Sequence, residues 1–166
     1  MKDLIIIPAK SEKELEEIAV LAESIWHEHF TPIIGENQVN YMVEKFQSLP
    51  ALKQQTREGY EYFQLRLDGV LAGYTGVHDE NGRLFLSKLY LKKEYQGQHL
   101  ATQAFEFLKN LCRKRGLSSI WLTCNRHNEH TLDVYHHLGL VTTRTEKTDI
   151  GNGFFMDDYI LEYQIA

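Results

Sequence analysis

The stretch from Leu89 to Leu108 constrains the fold more than any other part of the chain, because three local patterns follow one another within it. A strand end leads into a polar loop with one glycine, Gly97, and the loop leads into an amphipathic helix. Apolar residues recur there at the spacing of one helical face: Leu100, Ala101, Ala104, Phe105, Leu108, Leu111 and Cys112. A helix N-terminus leaves backbone N–H groups without partners and carries partial positive charge, which suits a phosphate. The sequence therefore predicts an anion site before this helix.

The first part of the chain predicts a strand followed by helices. A short β-rich run covers residues 3–7, and Ser11 with Glu14 forms a capping box at the start of a helix. Thr31-Pro32 should close this helix, because proline cannot continue it. A second helix should follow, and residues 49–59 are predicted to form a short helical turn and a loop.

From Tyr60 onwards the hydrophobic period changes to two, which predicts a three-strand meander. Asp68-Gly69 and residues 79–82 are turn sequences between its strands. The alternation is disturbed around Ser87-Lys88, which predicts a bulge. The remaining elements should be a strand over 119–124, a helix from Asn128 to Gly139, and two long strands over 140–149 and 154–165.

Composition narrows the class of protein. A chain of 166 residues is long enough for one well-buried core and too short for two ordinary domains. The net charge of −5 argues against a nucleic-acid surface, and no apolar run is long enough to cross a membrane. The two cysteines, Cys112 and Cys124, imply no disulfide framework, so a cytoplasmic location is expected. The oligomeric state stays open, with a homodimer as one alternative.

Two motifs give this order of elements a more specific meaning. Gln96-Gly97-Gln98-His99-Leu100-Ala101 resembles the Q/R-x-x-G-x-G/A pyrophosphate loop of the GNAT acetyltransferase superfamily, and departs from it at His99, where glycine is usual. The segment from Asn128 to Leu140 is similar to the N-x-x-A…Y-x-x-x-G-F segment of the same family, with Thr131 in place of alanine and Leu140 in place of phenylalanine. The resemblance covers roughly residues 67–165.

The resemblance implies a fold as well as a function. It implies one α/β (α+β) domain over residues 1–166, with a central, mixed but mostly antiparallel sheet of about seven strands between flanking helices. In this family the strand before the loop and the strand after its helix run parallel and splay apart. The slot between them holds the pantetheine arm of acetyl-CoA.

The resemblance also implies site residues for direct acetyl transfer from acetyl-CoA to a primary amine. The main chain of Leu89 and Leu91 should bond pantetheine and the thioester carbonyl, where an N–H donor stabilises developing charge. Tyr135 should protonate the departing thiolate, and Asn128 should hold pantetheine or cap its own helix. The pyrophosphate should lie on the loop formed by Gln96, Gly97, Gln98, His99, Leu100, Ala101 and Thr102.

His99 leaves two alternatives open. In a right-handed helical conformation its Cβ would be tolerated and the imidazole would point to solvent. Alternatively, the imidazole would donate a hydrogen bond to a phosphate.

The acceptor is less constrained than the donor. The first helix end and the meander strands suggest contacts from His27, Glu28, His29, Tyr74 and His78, and a small cationic, polyamine-like amine is the leading acceptor class. A peptide N-terminus, an amino acid and an aminoglycoside are the alternatives. The sequence does not identify the general base that an ammonium acceptor requires.

Other classes of function compete with catalysis. The departure at His99 would suit a CoA-binding sensor without activity, and a purely structural domain would need the loop match to be accidental. His127, His130, His136 and His137 lie close together in sequence, but no cysteine or carboxylate cluster accompanies them, so no metal site is expected. Cys124 ends an apolar strand without a base beside it, so we expect it to be buried and unreactive.

Overall fold

Seven strands form one sheet in the computed structural model, which describes residues 3–166. The strands are β1 (Ile5–Ala9), β2 (Glu61–Leu67), β3 (Val70–Glu80), β4 (Arg83–Leu91), β5 (Ser119–Asn125), β6 (Val141–Gly151) and β7 (Phe154–Gln164). Their spatial order is β1-β2-β3-β4-β5-β7-β6. The predicted mixed sheet of about seven strands is confirmed. The first strand lies two residues later than predicted, because Pro8 on an edge strand does not end the pairing with β2.

The pair β4 and β5 is parallel, whereas every other pairing in the described sheet is antiparallel. Its register contains only Leu84 opposite Ile120 and Phe85 opposite Trp121. Beyond Phe85 the two strands separate, although β4 continues to Leu91 and β5 to Asn125. The predicted splayed pair is therefore present in the middle of the sheet.

A bulge lies on β4 immediately after this parallel contact. Gly76 of β3 pairs with Lys88 while Val77 pairs with Leu86, so Ser87 is the extra residue. The bulge predicted at Ser87-Lys88 is confirmed. A bulge re-aims the strand that carries it, and here it lies where β4 leaves β5.

Five α-helices cover the two faces of the sheet. They are α1 (Glu12–Ile34), α2 (Glu36–Met42), α3 (Leu49–Arg57), α4 (Leu100–Arg115) and α5 (Glu129–His137). A π-helical turn, Val43–Gln47, connects α2 to α3. Buried side chains of α1–α3 form one core with Tyr62 and Tyr74, and those of α4 and α5 form a second core with Leu84 and Ile120.

The capping box of α1 is confirmed, but the predicted end of this helix is wrong. The Ser11 hydroxyl accepts from the Glu14 N–H at 3.1 Å, and Glu14 Oε1 accepts from the Ser11 N–H at 3.0 Å. Pro32 lies inside the helix, which ends at Gly35 with a φ of 87°. The Gly35 N–H donates to the Thr31 carbonyl at 3.0 Å, so backbone bonding resumes beyond the proline. Proline removes one donor, and the helix accommodates that loss in its last turn.

His99 immediately precedes α4 and adopts a left-handed conformation, with φ 61° and ψ 18°. The right-handed conformation considered from the sequence is therefore wrong. A residue with a Cβ loses roughly 1–2 kcal/mol in this region, which explains why glycine is usual here in similar loops. The histidine makes no side-chain cap to the helix.

Replacing His99 with glycine should therefore stabilise the protein. Relief of the left-handed strain exceeds the entropy that glycine loses on folding, which is roughly 0.5–1 kcal/mol, so we expect a net gain of about 0.5–1 kcal/mol. Urea denaturation measures this free energy of unfolding.

His99→Ala is the matched control, because alanine keeps the Cβ and should show no gain. Calorimetric titration with CoA adds a second readout: His99→Gly should bind CoA as the parent does if backbone groups hold the phosphate. A loss of unfolding free energy in His99→Gly would contradict the strain argument.

Candidate active site

Two cavities lie on opposite sides of the sheet where β4 and β5 separate. The loop cavity has a volume of about 480 Å³ and lies between the β4–α4 connection and α5. The aromatic cavity has a volume of about 500 Å³ and lies between the sheet and helices α1–α3. Tyr135 and Thr131 line both cavities. The gap between the strands therefore connects the two faces of the sheet at Tyr135.

The loop cavity brings together most of the residues predicted to bind the cofactor. Its lining on the β4–α4 side is Leu89, Leu91, Gln96, Gly97, His99, Leu100, Ala101 and Thr102. Gln98 does not line it, and its side-chain amide donates instead to the Glu94 carbonyl at 3.1 Å.

The main chain of the loop suits a phosphate. The first backbone bond of α4 runs from the Gln103 N–H to the His99 carbonyl at 3.2 Å, so the N–H groups of residues 100–102 have no acceptor within the helix. The Gln96 amide donates to the Leu91 carbonyl at 3.3 Å, so this side chain braces the loop. Helix α4 contributes its dipole at the same point. These groups fit the pyrophosphate of CoA.

Leu89 and Leu91 present main-chain groups to the gap. The Lys92 N–H donates to the Ala72 carbonyl of β3 at 2.9 Å. Because the bonding direction alternates along an antiparallel strand, the N–H and carbonyl groups of Leu89 and Leu91 face away from β3. They face the side of β4 from which β5 has separated. This orientation is the one needed to bind a pantetheine arm.

Tyr135 is buried in α5 beside the end of β5. Burial raises the pKa of its phenol, and the nearby Cys124 raises this pKa further, so the hydroxyl stays protonated at neutral pH. Burial also raises the pKa of the Cys124 thiol to about 12, with a further contribution from Asp158. Cys124 is buried as predicted, and its thiol is held neutral.

Asn128 contacts the first helix and does not cap its own. It precedes α5 without a side-chain hydrogen bond to that helix, so the capping alternative is wrong. Asn128 Oδ1 lies 3.0 Å from His29 Nε2, which places this histidine at the margin of the aromatic cavity. This contact ties α1 to the start of α5.

The other acceptor-site candidates do not line the aromatic cavity. Tyr74 is fully buried and donates to Gln47 Oε1 at 2.8 Å. His78 stacks on Tyr60 with ring centroids 4.5 Å apart, and its ring nitrogens contact Glu80 and the Glu58 carbonyl.

His27 and Glu28 lie further along α1. His27 bonds the Glu23 carbonyl at 2.8 Å and Asn40 Oδ1 at 2.6 Å, and the Asn40 bond is the main cause that raises its pKa. Glu28 is exposed on the same helix. His27 therefore connects α1 to α2, and neither His27 nor Glu28 lines the aromatic cavity.

Asp158 is a site residue that sequence reasoning missed. It lies on β7, lines the aromatic cavity and is 5% exposed. Burial, followed by the charges of Asp157 and Glu146, raises the pKa of its carboxyl to about 6. The alternation in β7 offered a clue, because Asp158 falls on the same face of the strand as the apolar Met156 and Ile160.

Lys88 is the second missed residue. It follows the bulge on β4, is 5% exposed and lines the same cavity. Its Nζ donates to Gln55 Oε1 at 2.7 Å and to the Tyr62 hydroxyl, which itself donates to Gln55. Burial lowers the pKa of Lys88 to about 7. A lysine inside an apolar strand pattern was the available indication.

The buried ammonium of Lys88 should make stability depend on pH. Its pKa is lowered from 10.5 to about 7 in the folded protein, so the unfolded chain binds more protons between these values. The free energy of unfolding attributable to Lys88 should therefore rise with pH from about 7 upwards, by at most about 1.4 kcal/mol per pH unit. Urea denaturation of the parent and Lys88→Met at pH 7.5, 8.5 and 9.5 measures it.

Lys53→Met is the control, since Lys53 lies partly exposed beside Glu12. The free energy of unfolding of the parent minus that of Lys88→Met should increase with pH. The parent value minus that of Lys53→Met should stay constant. If these two differences changed equally with pH, Lys88 would titrate as an ordinary surface lysine.

The described part of the chain, residues 3–166, has neither a candidate metal centre nor a candidate membrane-spanning helix. Residues 3–166 contain no group of three or more histidine, cysteine, aspartate or glutamate side chains placed to hold a metal ion. Within the same residues, no helix has the length and apolar character needed to span a membrane.

Known proteins share this architecture over almost the whole chain. A PaiA N-acetyltransferase from Thermoplasma acidophilum, solved in complex with coenzyme A, superimposes with a TM-score of 0.79 at 20% identity and covers 98% of this chain and 99% of its own. The ribosomal-protein-S18-alanine N-acetyltransferase of Escherichia coli gives a TM-score of 0.72 at 19% identity, covering 99% and 95%. At these identities the likeness shows the fold.

Sequence comparison shows the family. An uncharacterized N-acetyltransferase from the pepI 3' region of Lactobacillus delbrueckii subsp. lactis is 28% identical over 140 residues, which are 78% of this chain and 80% of the relative. The model of the acetyltransferase (GNAT) family matches residues 18–140, including the phosphate loop and the segment around Tyr135. The chain therefore belongs to the acetyltransferase (GNAT) family, with acetyl-CoA as its cofactor.

Proposed function

We propose that this protein transfers an acetyl group directly from acetyl-CoA to the primary amine of a small acceptor that enters as an ammonium ion. The observation that carries the proposal is the pair of cavities on opposite faces of the sheet, joined at Tyr135. A donor and an acceptor bound in them would approach each other from opposite sides of the gap. Direct transfer needs this arrangement, because no enzyme nucleophile then has to carry the acetyl group.

The loop cavity is the proposed cofactor site. When bound, acetyl-CoA supplies the acetyl group as a thioester. The N–H groups of residues 100–102 hold the pyrophosphate, and the main chain of Leu91 and Leu89 orients the pantetheine arm. The Leu89 N–H stabilises the carbonyl oxygen as negative charge develops on it. The imidazole of His99 is left out of this set, because the backbone alone supplies the donors.

Tyr135 is the proposed acid. Its hydroxyl donates towards the departing sulfur, and its raised pKa keeps a proton available at neutral pH. Cys124 lies close to Tyr135 but carries a thiol whose pKa of about 12 keeps it protonated. A thiol held in that form is a poor nucleophile, which favours direct transfer over an acetyl-cysteine route.

Asp158 is the proposed group that receives the acceptor. Tyr90, Tyr135, Cys124 and Asp158 form one neighbourhood, since the last three all contribute to the raised pKa of Tyr90. A carboxyl with a pKa of about 6 is ionised at neutral pH, so it attracts an ammonium group. The carboxylate then accepts a proton from the ammonium and passes that proton to water. The rings of Trp26, Phe30 and Tyr90 pack together beside it and favour a cation.

Fewer observations support the choice of acceptor class than support the transfer reaction. A small cationic, polyamine-like amine is consistent with Asp158 and the aromatic walls. The Escherichia coli relative is named for an alanine of ribosomal protein S18 and the Thermoplasma acidophilum relative is named without an acceptor, so the shared fold does not select an acceptor. An amino acid is the second candidate, and Lys88 is the observation that favours it.

Acetyl transfer and the role of Tyr135 are tested together. Purified protein with acetyl-CoA should release CoA thiol in the presence of small primary amines, and mass spectrometry should show the acetylated amine. Tyr135→Phe should lower kcat by about 100-fold while CoA affinity changes little, because the ring is kept and only the donor is lost.

CoA binding without thiol release over the amine panel would support a sensor and remove the enzymatic proposal. An unchanged kcat in Tyr135→Phe would mean that water protonates the sulfur. Leu138→Met is the control, since Leu138 directly follows α5 and lines the loop cavity without a group that can donate a proton.

The role of Asp158 predicts a specific pH dependence. Below a pH of about 6 its carboxyl becomes protonated and no longer attracts the ammonium. The slope of log kcat/KM against pH should therefore increase by about one unit below this pH. Asp158→Asn should lose this extra slope and have a lower kcat/KM at neutral pH. Initial rates between pH 5 and 8 measure both effects.

Asp157→Asn provides the comparison for this experiment. Asp157 is the next residue on β7, is half-exposed, and pairs with Arg126 at 3.5 Å. It should keep the extra slope, with an onset at lower pH because the charge of Asp157 no longer raises the pKa of Asp158. Loss of the slope in both variants, or in neither, would assign the titration to another group.

A further inference from the structure

Lys88 is a buried cation for which the described residues provide no acidic partner. Its side chain is 5% exposed and lies in the aromatic cavity, but both of its hydrogen-bond partners, Gln55 and Tyr62, are neutral. We propose that Lys88 binds an anionic group of the acceptor, so that the acceptor is an amino carboxylate with its amine and carboxylate at opposite ends. This inference rests on the proposed acetyl transfer and specifies its substrate class.

The bonding around Lys88 leaves one direction for a ligand. An ammonium group has three N–H donors, and two of them are directed to Gln55 Oε1 and the Tyr62 hydroxyl. Tyr62 uses its own proton on Gln55, so both partner oxygens are fixed. The described residues offer the third donor no hydrogen-bond acceptor, although the ammonium lies 5.0 Å and 6.0 Å from the ring centroids of Tyr62 and Tyr60. A carboxylate there would supply both the missing hydrogen bond and the missing charge.

The other charged groups of the cavity do not neutralise Lys88. Lys45 donates to the Ile150 carbonyl at 2.6 Å and to the Tyr41 hydroxyl at 3.2 Å. Glu58 and Asp158 also line the cavity, but neither is bonded to Lys88, and burial is the cause of its lowered pKa. A second ammonium of a polyamine would meet a like charge or force Lys88 to lose its proton.

The two charged residues lie on strands at different positions in the sheet. Asp158 on β7 lies near Cys124, whereas Lys88 on β4 extends towards β2 and α3. Strand β5 separates β4 from β7, and β4 has already separated from β5 at Lys88, so the strands that carry the two charges lie more than two inter-strand spacings, about 10 Å, apart. Hydrogen bonds of about 2.8 Å at each end leave at least about 4 Å between the nitrogen and the carboxylate of the acceptor. An unbranched amino acid of four or more carbons reaches this separation.

The test uses three acceptors of equal length that differ at the far end. They are 5-aminopentanoate with a carboxylate, pentylamine with a methyl group, and 1,5-diaminopentane with a second ammonium. We expect kcat/KM of the parent to be at least about tenfold higher for 5-aminopentanoate than for either competitor, which corresponds to one charge-assisted hydrogen bond. The four- and six-carbon homologues, each with its matched amine and diamine, are run in the same way.

Variants connect this preference to Lys88. In Lys88→Met the ratio of kcat/KM for 5-aminopentanoate to that for pentylamine should fall by about tenfold, towards one. Lys53→Met, outside the cavity, should keep the parental ratio. Calorimetric titration with CoA verifies that each variant is folded and retains the cofactor site.

A second readout does not depend on turnover. The pKa of Lys88 is followed through its Cε carbon by NMR, using Lys88→Met to assign the resonance. Addition of 5-aminopentanoate should raise this pKa, because an anion stabilises the charged form, whereas pentylamine should leave it unchanged or lower it.

Different results of these experiments would overturn the role of Lys88 and the acetyl transfer. Acetylation of pentylamine or 1,5-diaminopentane in preference to all amino carboxylates would keep the acetyltransferase and overturn the role of Lys88. A preference for the diamine that increases in Lys88→Met would identify a polyamine-like acceptor. Failure to acetylate any amine despite CoA binding would overturn both proposals.

Discussion

The short parallel contact between β4 and β5 is the constraint on which the rest of the structure depends. Two residue pairs, Leu84 with Ile120 and Phe85 with Trp121, join the halves of the sheet, and the strands then separate. An open pair of strands inside a sheet exposes main-chain groups that need partners. The loop cavity and the aromatic cavity lie on either side of that opening, at the point where the hydrogen bonding of the sheet stops.

The bulge at Ser87 determines which residues reach each cavity. With one extra residue on β4, Lys88 and Tyr90 face the helices α1–α3, while Leu89 faces the opposite cavity. The same stretch therefore directs main-chain groups into the gap beside the loop cavity and side chains into the aromatic cavity. Because these residues are adjacent, a shift of register by one would exchange their faces. The bulge thus determines the lining of both cavities within a few residues of chain.

Local patterns in the sequence predicted the fold, and most of the residues predicted to hold the cofactor line one cavity, the loop cavity. Period-two alternation, the turn sequences and the capping box at Ser11 determine local structure, and two motifs located the loop and Tyr135. His27 and Tyr74 do not line the aromatic cavity, because they were chosen by residue chemistry, whereas cavity lining depends on packing between distant helices and strands. Lys88 and Asp158 were missed for the same reason: a charge in an apolar strand is informative only once its face and partners are known. His99 was misjudged because its conformation depends on how the loop enters α4.

The aromatic cavity differs from an ordinary hydrophobic core because two buried charged residues, Lys88 and Asp158, line it. Each is a charged group with low exposure, and burial shifts the pKa of each towards its neutral form, so each is costly for the folded protein without a partner. A direct ion pair would have removed both costs, but β5 lies between the strands that carry them. Their separation keeps two opposite charges apart in one cavity. A molecule that carries an ammonium at one end and a carboxylate at the other would satisfy both, and only when oriented with its amine towards Tyr135. The unpaired charges would thus select the substrate and also its direction, which a neutral cavity of the same shape would not do.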